Sequence, residues 1–389
     1  MTEPNQSPDL HPYSLRGLVL YFLKLGTIGF GGPIALVGYM ERDLVEAKQW
    51  LSKEQYLRGL ALAQLAPGPL AAQLAIYIGY LKARIIGATL VGVAFIIPSF
   101  LMVVALGMLY VSYGGLPWMQ AMFYGIGAAV IGIIVRSASR LTQLTLKGNR
   151  LLWTIFISMG LVTAYFEEEI VWLVILSGFV TLFVFAPPMQ MTGKIHLVIS
   201  PMSLSIFQYA TALQSEILVR ILLFFGQAGA FVFGSGLAIV PFLYGGVVQQ
   251  YHWLSERQFL DAVAVAMITP GPVVITVGFI GYLIAGFPGA VAACLGVFLP
   301  VYLFVVLPAP YFERYAKNPQ LIAFIEGVTA AATGAIAGAV IVLGRRAITD
   351  IPTSLIALGT LAILLKFRTP EPIIVALAGG MGLLIYSLH

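Results

Sequence analysis

Long apolar runs separated by short polar gaps account for nearly all of the chain beyond residue 14. They fall near 15–39, 56–81, 85–111, 117–135, 151–166 and 170–186, and again near 217–243, 259–285, 288–308, 320–343, 352–366 and 372–388. Most reach the ~20 residues that an α-helix needs to cross a bilayer. A transmembrane barrel would alternate apolar and polar positions along short strands, and runs such as "IIGATLVGVAFIIPSFLMVVALGMLYV" do not. The pattern predicts an all-α polytopic membrane protein. The last two runs of each set are short, which leaves room for tilt or partial insertion.

The two sets of six are copies. Shifting the chain by 203 residues lays "WLSKEQYLRGLALAQLAPGP" (50–69) on "WLSERQFLDAVAVAMITPGP" (253–272), with ten of the twenty positions identical. Chance would give roughly one such match at ordinary residue frequencies. The same shift superposes Phe30-Gly31 on Phe233-Gly234. One residue of slippage then aligns "IGYL" (78–81) with "IGYL" (280–283), Gly87-Ala88 with Gly289-Ala290, and Pro98 with Pro300. An internal duplication of about half the chain explains this. The organisation is a polar tail over 1–14, a first repeat over 15–186, a linker over 187–216 and a second repeat over 217–389.

Loop charges indicate how the copies are oriented. Lys82 and Arg84 mark one loop as cytoplasmic, and Arg136, Arg140, Lys147 and Arg150 mark another two crossings later. The N-terminus is therefore expected in the cytoplasm. In the second copy the equivalent of the Lys82/Arg84 loop is the uncharged "AGFPG", while the equivalents of an uncharged and an acidic loop are "ERYAK" and "KFRTPE". Three of four comparisons swap sides, and Arg345-Arg346 dissents. Inverted repeats with six crossings each require one more crossing between them, for which "IHLVISPMSLSIFQYATAL" (195–213) is the available stretch. That makes about 12–13 membrane segments; the alternative is that a Pro-Gly-Pro segment re-enters instead of spanning.

Both copies carry interrupted runs. Pro67-Gly68-Pro69 and Pro270-Gly271-Pro272 break one run each. Proline removes a backbone donor and clashes with the preceding turn, and glycine adds backbone freedom. Gly31, Gly32 and Pro33 in "GTIGFGGPIAL" form a second break, with Gly234, Ser235 and Gly236 as its counterpart. Backbone groups freed at membrane depth are tolerated inside protein or beside a water-filled cavity. A half-helix that begins there aims unpaired N–H groups and about half a positive charge at whatever sits before it. Such a terminus is an anion site without a lysine, and broken helices in inverted halves point to a transporter's central site. Architectural kinks and close packing at glycine are the plainer explanation of the same residues.

Composition narrows the alternatives. Charged residues make up 10% of the chain against about 25% in a soluble domain. The net charge is +5, with the basic residues scattered among loops, so nucleic-acid binding is not expected. The single Cys294 excludes an intramolecular disulfide, and four well-separated histidines show no ligand spacing. Neither a Walker loop nor any other cofactor motif is present, so no metal or cofactor is expected. A membrane enzyme would want carboxylates or histidines clustered at membrane depth, and none are seen.

The motifs "FGGP" (30–33), "WLS" with "PGP" (50–69) and "IGYL" (78–81), together with their second copies, resemble the chromate ion transporter family in its long, two-domain form. The resemblance covers essentially the whole chain. It implies a multi-pass protein of the plasma (inner) membrane that exports chromate from the cytoplasm and confers chromate resistance. Gly234-Ser235-Gly236 stands where a Gly-Gly-His-type element is usual in that family. Another oxyanion such as sulfate or molybdate would meet the same donors, and an anion channel is a further alternative. A homodimer is compatible with the sequence, which does not set the oligomeric state.

Several side chains could serve such a site. Gln64 and Gln73 flank the first break and either hydrogen-bond an oxyanion or satisfy freed carbonyls. Met267 and Thr276 stand in their places in the second copy, where Thr269 adjoins the prolines. Ser235 either donates to an oxyanion or packs. Lys24, about eight residues into the first run, either snorkels or faces a cavity. Arg42 either recruits anions at a vestibule or pairs with Glu41, Asp43 or Glu46. Glu326 is the carboxylate placed for proton coupling, or else it sits at the interface. Glu167-Glu168-Glu169 reads as a solvated turn, and Trp50 and Trp253 as interfacial anchors.

Overall fold

A computed structural model describes residues 11–30, 32–113, 117–146, 148–167, 170–187, 217–231, 239–312, 318–367 and 369–387. Those residues are overwhelmingly helical, with no strand among them. In the first repeat the helices are α1 (Leu15–Ile28), α2 (Gly32–Met40), α3 (Lys53–Leu65), α4 (Leu70–Tyr113), α5 (Pro117–Leu146), α6 (Arg150–Phe166) and α7 (Val171–Phe185). The second contains α8 (Ile217–Phe231), α9 (Ile239–Leu243), α10 (Glu256–Ile268), α11 (Thr276–Val306), α12 (Pro319–Ala347), α13 (Ile351–Lys366) and α14 (Glu371–Ser387).

Local geometry repeats with the sequence. Ser52 and Gln55 form a capping box at the start of α3, and Ser255 and Gln258 form one at the start of α10. Gly68 and Gly271 take φ of +135° and +97°, a region that strains any residue with a Cβ. α2 and α9 both run on into a π-helical turn, Glu41–Ala47 and Tyr244–Gln250.

The interrupted runs do not pass straight through. Gly59 of α3 packs on Leu74 and Tyr77 of α4, so the arms on either side of Pro67-Gly68-Pro69 lie antiparallel. The Tyr21 hydroxyl reaches the Tyr39 carbonyl at 3.3 Å, which folds α1 back on α2 in the same way. In the second repeat Gly246 packs against Phe224, so α8 is answered by the chain that returns through α9. Arms of 13 or 14 residues are about 20 Å long, short of the ~30 Å hydrocarbon core. These are hairpins whose arms are too short to span that core, the folded-back form that the re-entrant alternative supposes for one Pro-Gly-Pro segment. A second reversal follows at Ala83-Arg84 inside α4 and at Ala285-Gly286 inside α11. There Gly79 approaches Gly87 and Gly281 approaches Gly289 so closely that a Cβ would lie 2.3 Å from the facing carbonyl oxygen. The duplicated "IGYL" and Gly-Ala motifs serve this crossing.

The contacts also set the orientation of the repeats. His11 N–H donates to the Gln49 carbonyl (3.0 Å), and Lys82 lies 4.1 Å from the centre of the Tyr13 ring. The start of α1, the link before α3 and the reversal at Ala83-Arg84 therefore share one face, called here the N-terminal face. Thr89, just after that reversal, bonds Tyr302 near the end of α11 at 2.8 Å. Gly107, near the end of α4, packs on Tyr282 just before the reversal of α11. The two repeats therefore run in opposite senses. The described chain before residue 188 ends toward the N-terminal face and α8 begins at the other. The stretch 195–213 lies outside the described residues.

Two bundles result. One holds the hairpins together with α4 and α11; the other, a frame, holds α5, α6, α7, α12, α13 and α14. Small residues let the helices approach closely, as where Gly26 meets the Phe95 carbonyl and Gly229 meets that of Val297.

Candidate functional site: a cationic vestibule between two bundles

A cavity of about 1580 Å³ opens on the N-terminal face between the bundles. Lys24, Arg42 and Lys48 line it from the hairpin side, and Arg136 and Arg140 from the frame. Five cations thus face two carboxylates, Asp43 and Glu371. The cavity descends past Leu25 and Ile28 to Gly29 and Phe30, the tip of the first hairpin, and to Ala35 in the first turn of α2. At that end α2 presents N–H groups with no intrahelical acceptor and the positive end of its dipole. The volume exceeds that of a fitted small-molecule pocket, so the space is a vestibule leading to a terminal turn.

Aromatic and acidic neighbours hold the cations at its wall. Arg42 donates to Asp43 at 2.9 Å and lies 5.3 Å from the Tyr39 ring centre. Lys48 stands 4.3 Å from the ring centre of Trp50, which stacks on Tyr13. Lys24 is exposed on the wall of the vestibule. Arg42 pairs with Asp43, as one of its readings has it, and lines the vestibule.

The Pro-Gly-Pro tips lie behind this wall, packed in protein. Gln73 is fully buried, and its Nε2 donates to the carbonyls of Ala66 (3.2 Å) and Pro67 (2.6 Å). Of its two sequence readings the structure therefore shows the satisfaction of freed carbonyls. Gln64 is exposed on α3 and makes no part of that arrangement. Gly68 and Pro69 are buried and Pro67 is half-buried. In the second copy Thr269, Pro270, Gly271 and Pro272 are all buried, and the Thr269 hydroxyl donates to Val265 at 2.7 Å within its own helix. Each tip packs on the long helix of the other repeat: Gly68 on Val301, Gly271 on Ser99. The Gly271 N–H donates to the Gly29 carbonyl at 2.9 Å, and the Ser99 hydroxyl donates to that of Gly26 at 3.2 Å. The second Pro-Gly-Pro thereby touches the turn that ends the vestibule.

Gly32 and Pro33 open α2. Gly31, Gly234, Ser235 and Gly236 lie outside the described residues. Glu326 is half-buried in α12 and does not line the vestibule. The expectation of a solvated turn at Glu167 is corrected, because Glu167 accepts from Gln249 (2.9 Å) and pairs with Arg346. That pairing accounts for the dissenting arginine, since Arg346 sits among carboxylates. Asp261 went unnoticed in sequence because it stands alone. It is 6% exposed in α10 and accepts a 2.6 Å hydrogen bond from Tyr110 of the other repeat. At the frame's far end, hydrogen bonds from Tyr124 and Thr353 hold the Asp350 carboxyl below its usual range.

Fold and site together define a multi-pass helical membrane protein of two inverted, hairpin-bearing repeats with a cation-lined cleft on one face. The chain belongs to the chromate transporter family, whose model matches residues 16–182 and 219–383. It is 61% identical over 378 residues to the "Chromate transport protein" of Cupriavidus metallidurans, covering 97% of this chain and 94% of that one. It is 56% identical to the "Probable chromate transport protein" of Synechococcus elongatus across the whole of both chains. A "Chromate transport protein" of Pseudomonas aeruginosa is 30% identical over 95% of this chain and 92% of its own. No solved structure matches.

Proposed function

We propose that the protein exports the chromate dianion from the cytoplasm across the plasma membrane by alternating access. The observation that carries this reading is the vestibule whose lining combines five cations with Gly29, Phe30 and the first turn of α2. Lys82, Arg84, Arg136 and Arg140 lie toward the N-terminal face, which makes that face the cytoplasmic one. Clustered charge in a low-dielectric cleft raises the local concentration of an anion. Backbone donors at the helix start then take over from solvent. Gly32 and Pro33 open that helix, and the second Pro-Gly-Pro holds the turn from behind through the Gly271 N–H; in the sequence Gly31 adjoins it and Gly234, Ser235 and Gly236 are the corresponding positions of the second repeat.

A cytoplasm-negative potential drives an anion outward by about 2.3 kcal/mol per charge per 100 mV, and a dianion by about twice that. No ATP site is therefore required, and a coupled proton would add to this drive. Sulfate, a dianion of the same shape, is the second reading, because nothing in a ring of cations separates the two.

Inside-out vesicles, which expose the cytoplasmic face, test the proposal with labelled chromate. Accumulation should saturate, collapse when the potential is dissipated, and fall when Lys24 or Arg136 is replaced by alanine. Vesicles that take up no more chromate than those lacking the protein would defeat the reading. Unlabelled sulfate that competes as well as chromate would transfer it to oxyanions in general, and flux that never saturates would mark a channel.

A further inference from the structure

The vestibule is one end of a seam between the hairpin bundle and the frame; the other end, at the opposite face, is shut. Arg346, in the last turn of α12, pairs with Glu167 at the end of α6, its neighbour within the frame. It also pairs with Glu256, the first residue of α10, across the seam. Its guanidinium lies 5.0 Å from the ring centre of Tyr244, which belongs to the hairpin side. Gln249, also on that side, donates to Glu167 at 2.9 Å. Beneath these groups Thr163, Pro241, Tyr244 and Leu343 close together with no room for a water molecule.

Among the described residues the N-terminal face has no such bridge at the matching place. Glu256 corresponds in the repeat to Lys53, which pairs within its own repeat with Glu41 of the neighbouring hairpin and not across the seam. Arg136 and Arg140 line the open vestibule there, on the frame side together with Thr369 and Glu371. Inverted repeats can exchange the states of their two ends, so a seam open at one face and latched at the other is half of a cycle. Only a difference between the two states can shift their balance, and the pairing of Arg346 with Glu256 is such a difference.

We propose that Arg346 is the latch of the outer gate: it holds the seam shut while the vestibule loads, and lets go of Glu256 when the site turns outward. This rests on the alternating-access reading above. The latch is partly exposed, with 23% of the Arg346 side chain and 52% of the Glu256 side chain accessible, so it breaks at small cost. Once open, it leaves Glu256 unpaired on the hairpin side, while Arg346 stays with Glu167 in the frame.

The test labels cysteines in vesicles of known sidedness, without chromate, in a Cys294→Ala background. Thr163→Cys probes the space under the latch, and Ala35→Cys probes the vestibule. With Arg346 in place, Thr163→Cys should resist an impermeant maleimide applied at the outer face, while Ala35→Cys reacts at the N-terminal face. Arg346→Gln should raise the first rate at least about threefold, as loss of a surface-type ion pair allows, and lower the second. Glu256→Gln should reproduce both changes, and Arg346→Lys should largely restore the parent. Rates unchanged in both neutral variants, or rising together at both probes as in general loosening, would overturn the latch. The readout needs no substrate, so failure of chromate accumulation would strike the transport reading and leave the labelling result standing.

Discussion

The Gly271 N–H donates to the Gly29 carbonyl at 2.9 Å, which joins the tip of a hairpin in one repeat to the tip of a hairpin in the other. These residues are 242 apart in sequence and belong to different break motifs. Their bond ties a buried Pro-Gly-Pro to the turn that ends a vestibule it does not itself line.

Gly271→Ala should therefore disable the protein while Gly286→Ala should not. Both glycines have positive φ, but a Cβ at Gly271 would lie 2.0 Å from the Ser99 hydroxyl, whereas at Gly286 it meets open space. Arg84 holds the conformation of Gly286 at the mirror position with φ of 49°, so that backbone accepts a side chain. Melting in detergent should fall sharply for Gly271→Ala, by an amount consistent with about 1–3 kcal/mol of strain or more. For Gly286→Ala it should move little. Equal losses would show that φ alone, and not the tip contact, matters.

Gln73→Leu removes the two donors that satisfy Ala66 and Pro67. Each buried carbonyl left alone costs about 1–3 kcal/mol, so the variant should be strongly destabilised or poorly expressed. Gln64→Leu, on the exposed side of the same hairpin, should leave the melting temperature nearly unchanged.

Tyr110→Phe takes the hydroxyl from Asp261, leaving a buried carboxylate without its 2.6 Å partner. A loss of about 2–3 kcal/mol is expected for a hydrogen bond to a charged group. Adding Asp261→Asn should recover part of it by removing the charge. A double variant no better than Tyr110→Phe alone would mean that the pair matters for packing only.

In the vestibule, single replacements of Lys24, Arg136 or Arg140 by glutamine should raise the half-saturating chromate concentration with little effect on folding. Raising ionic strength should narrow the difference from the parent, because charge attraction in an open cleft is screened. Salt-independent effects would point to direct coordination by the replaced side chain.

Asp350 supplies a pH test. It caps α13, and its carboxyl is held low by hydrogen bonds from Tyr124 and Thr353. A lowered carboxyl contributes stability that is complete above its unfolded value and is lost as pH falls through the folded one. Asp350→Ala should melt lower than the parent at pH 7, consistent with about 1 kcal/mol for a lost cap. The gap between the two should close below about pH 4. A gap that stays constant with pH would assign the effect to the cap geometry alone.

The sequence by itself determined the helical membrane class, the duplication, the opposed orientation and the positions of the breaks. These follow from local rules: apolar run length, repeated strings, loop charge, and the inability of Pro-Gly-Pro to continue a helix. Only the tertiary structure decided what the breaks do. Whether a broken run passes on or folds back depends on contacts such as Gly59 with Tyr77 and Tyr21 with Tyr39, which no local signal carries. The same holds for the roles of single polar residues. Gln73 turns inward to its own tip while Gln64 points away, and Lys24 meets Arg136 and Arg140 from more than a hundred residues off. Arg346, Glu167 and Glu256 read separately as surface charge and become one cluster only when the two bundles close on each other. Burial and charge pairing are long-range properties, set by which helices share a seam, and that choice is made by packing.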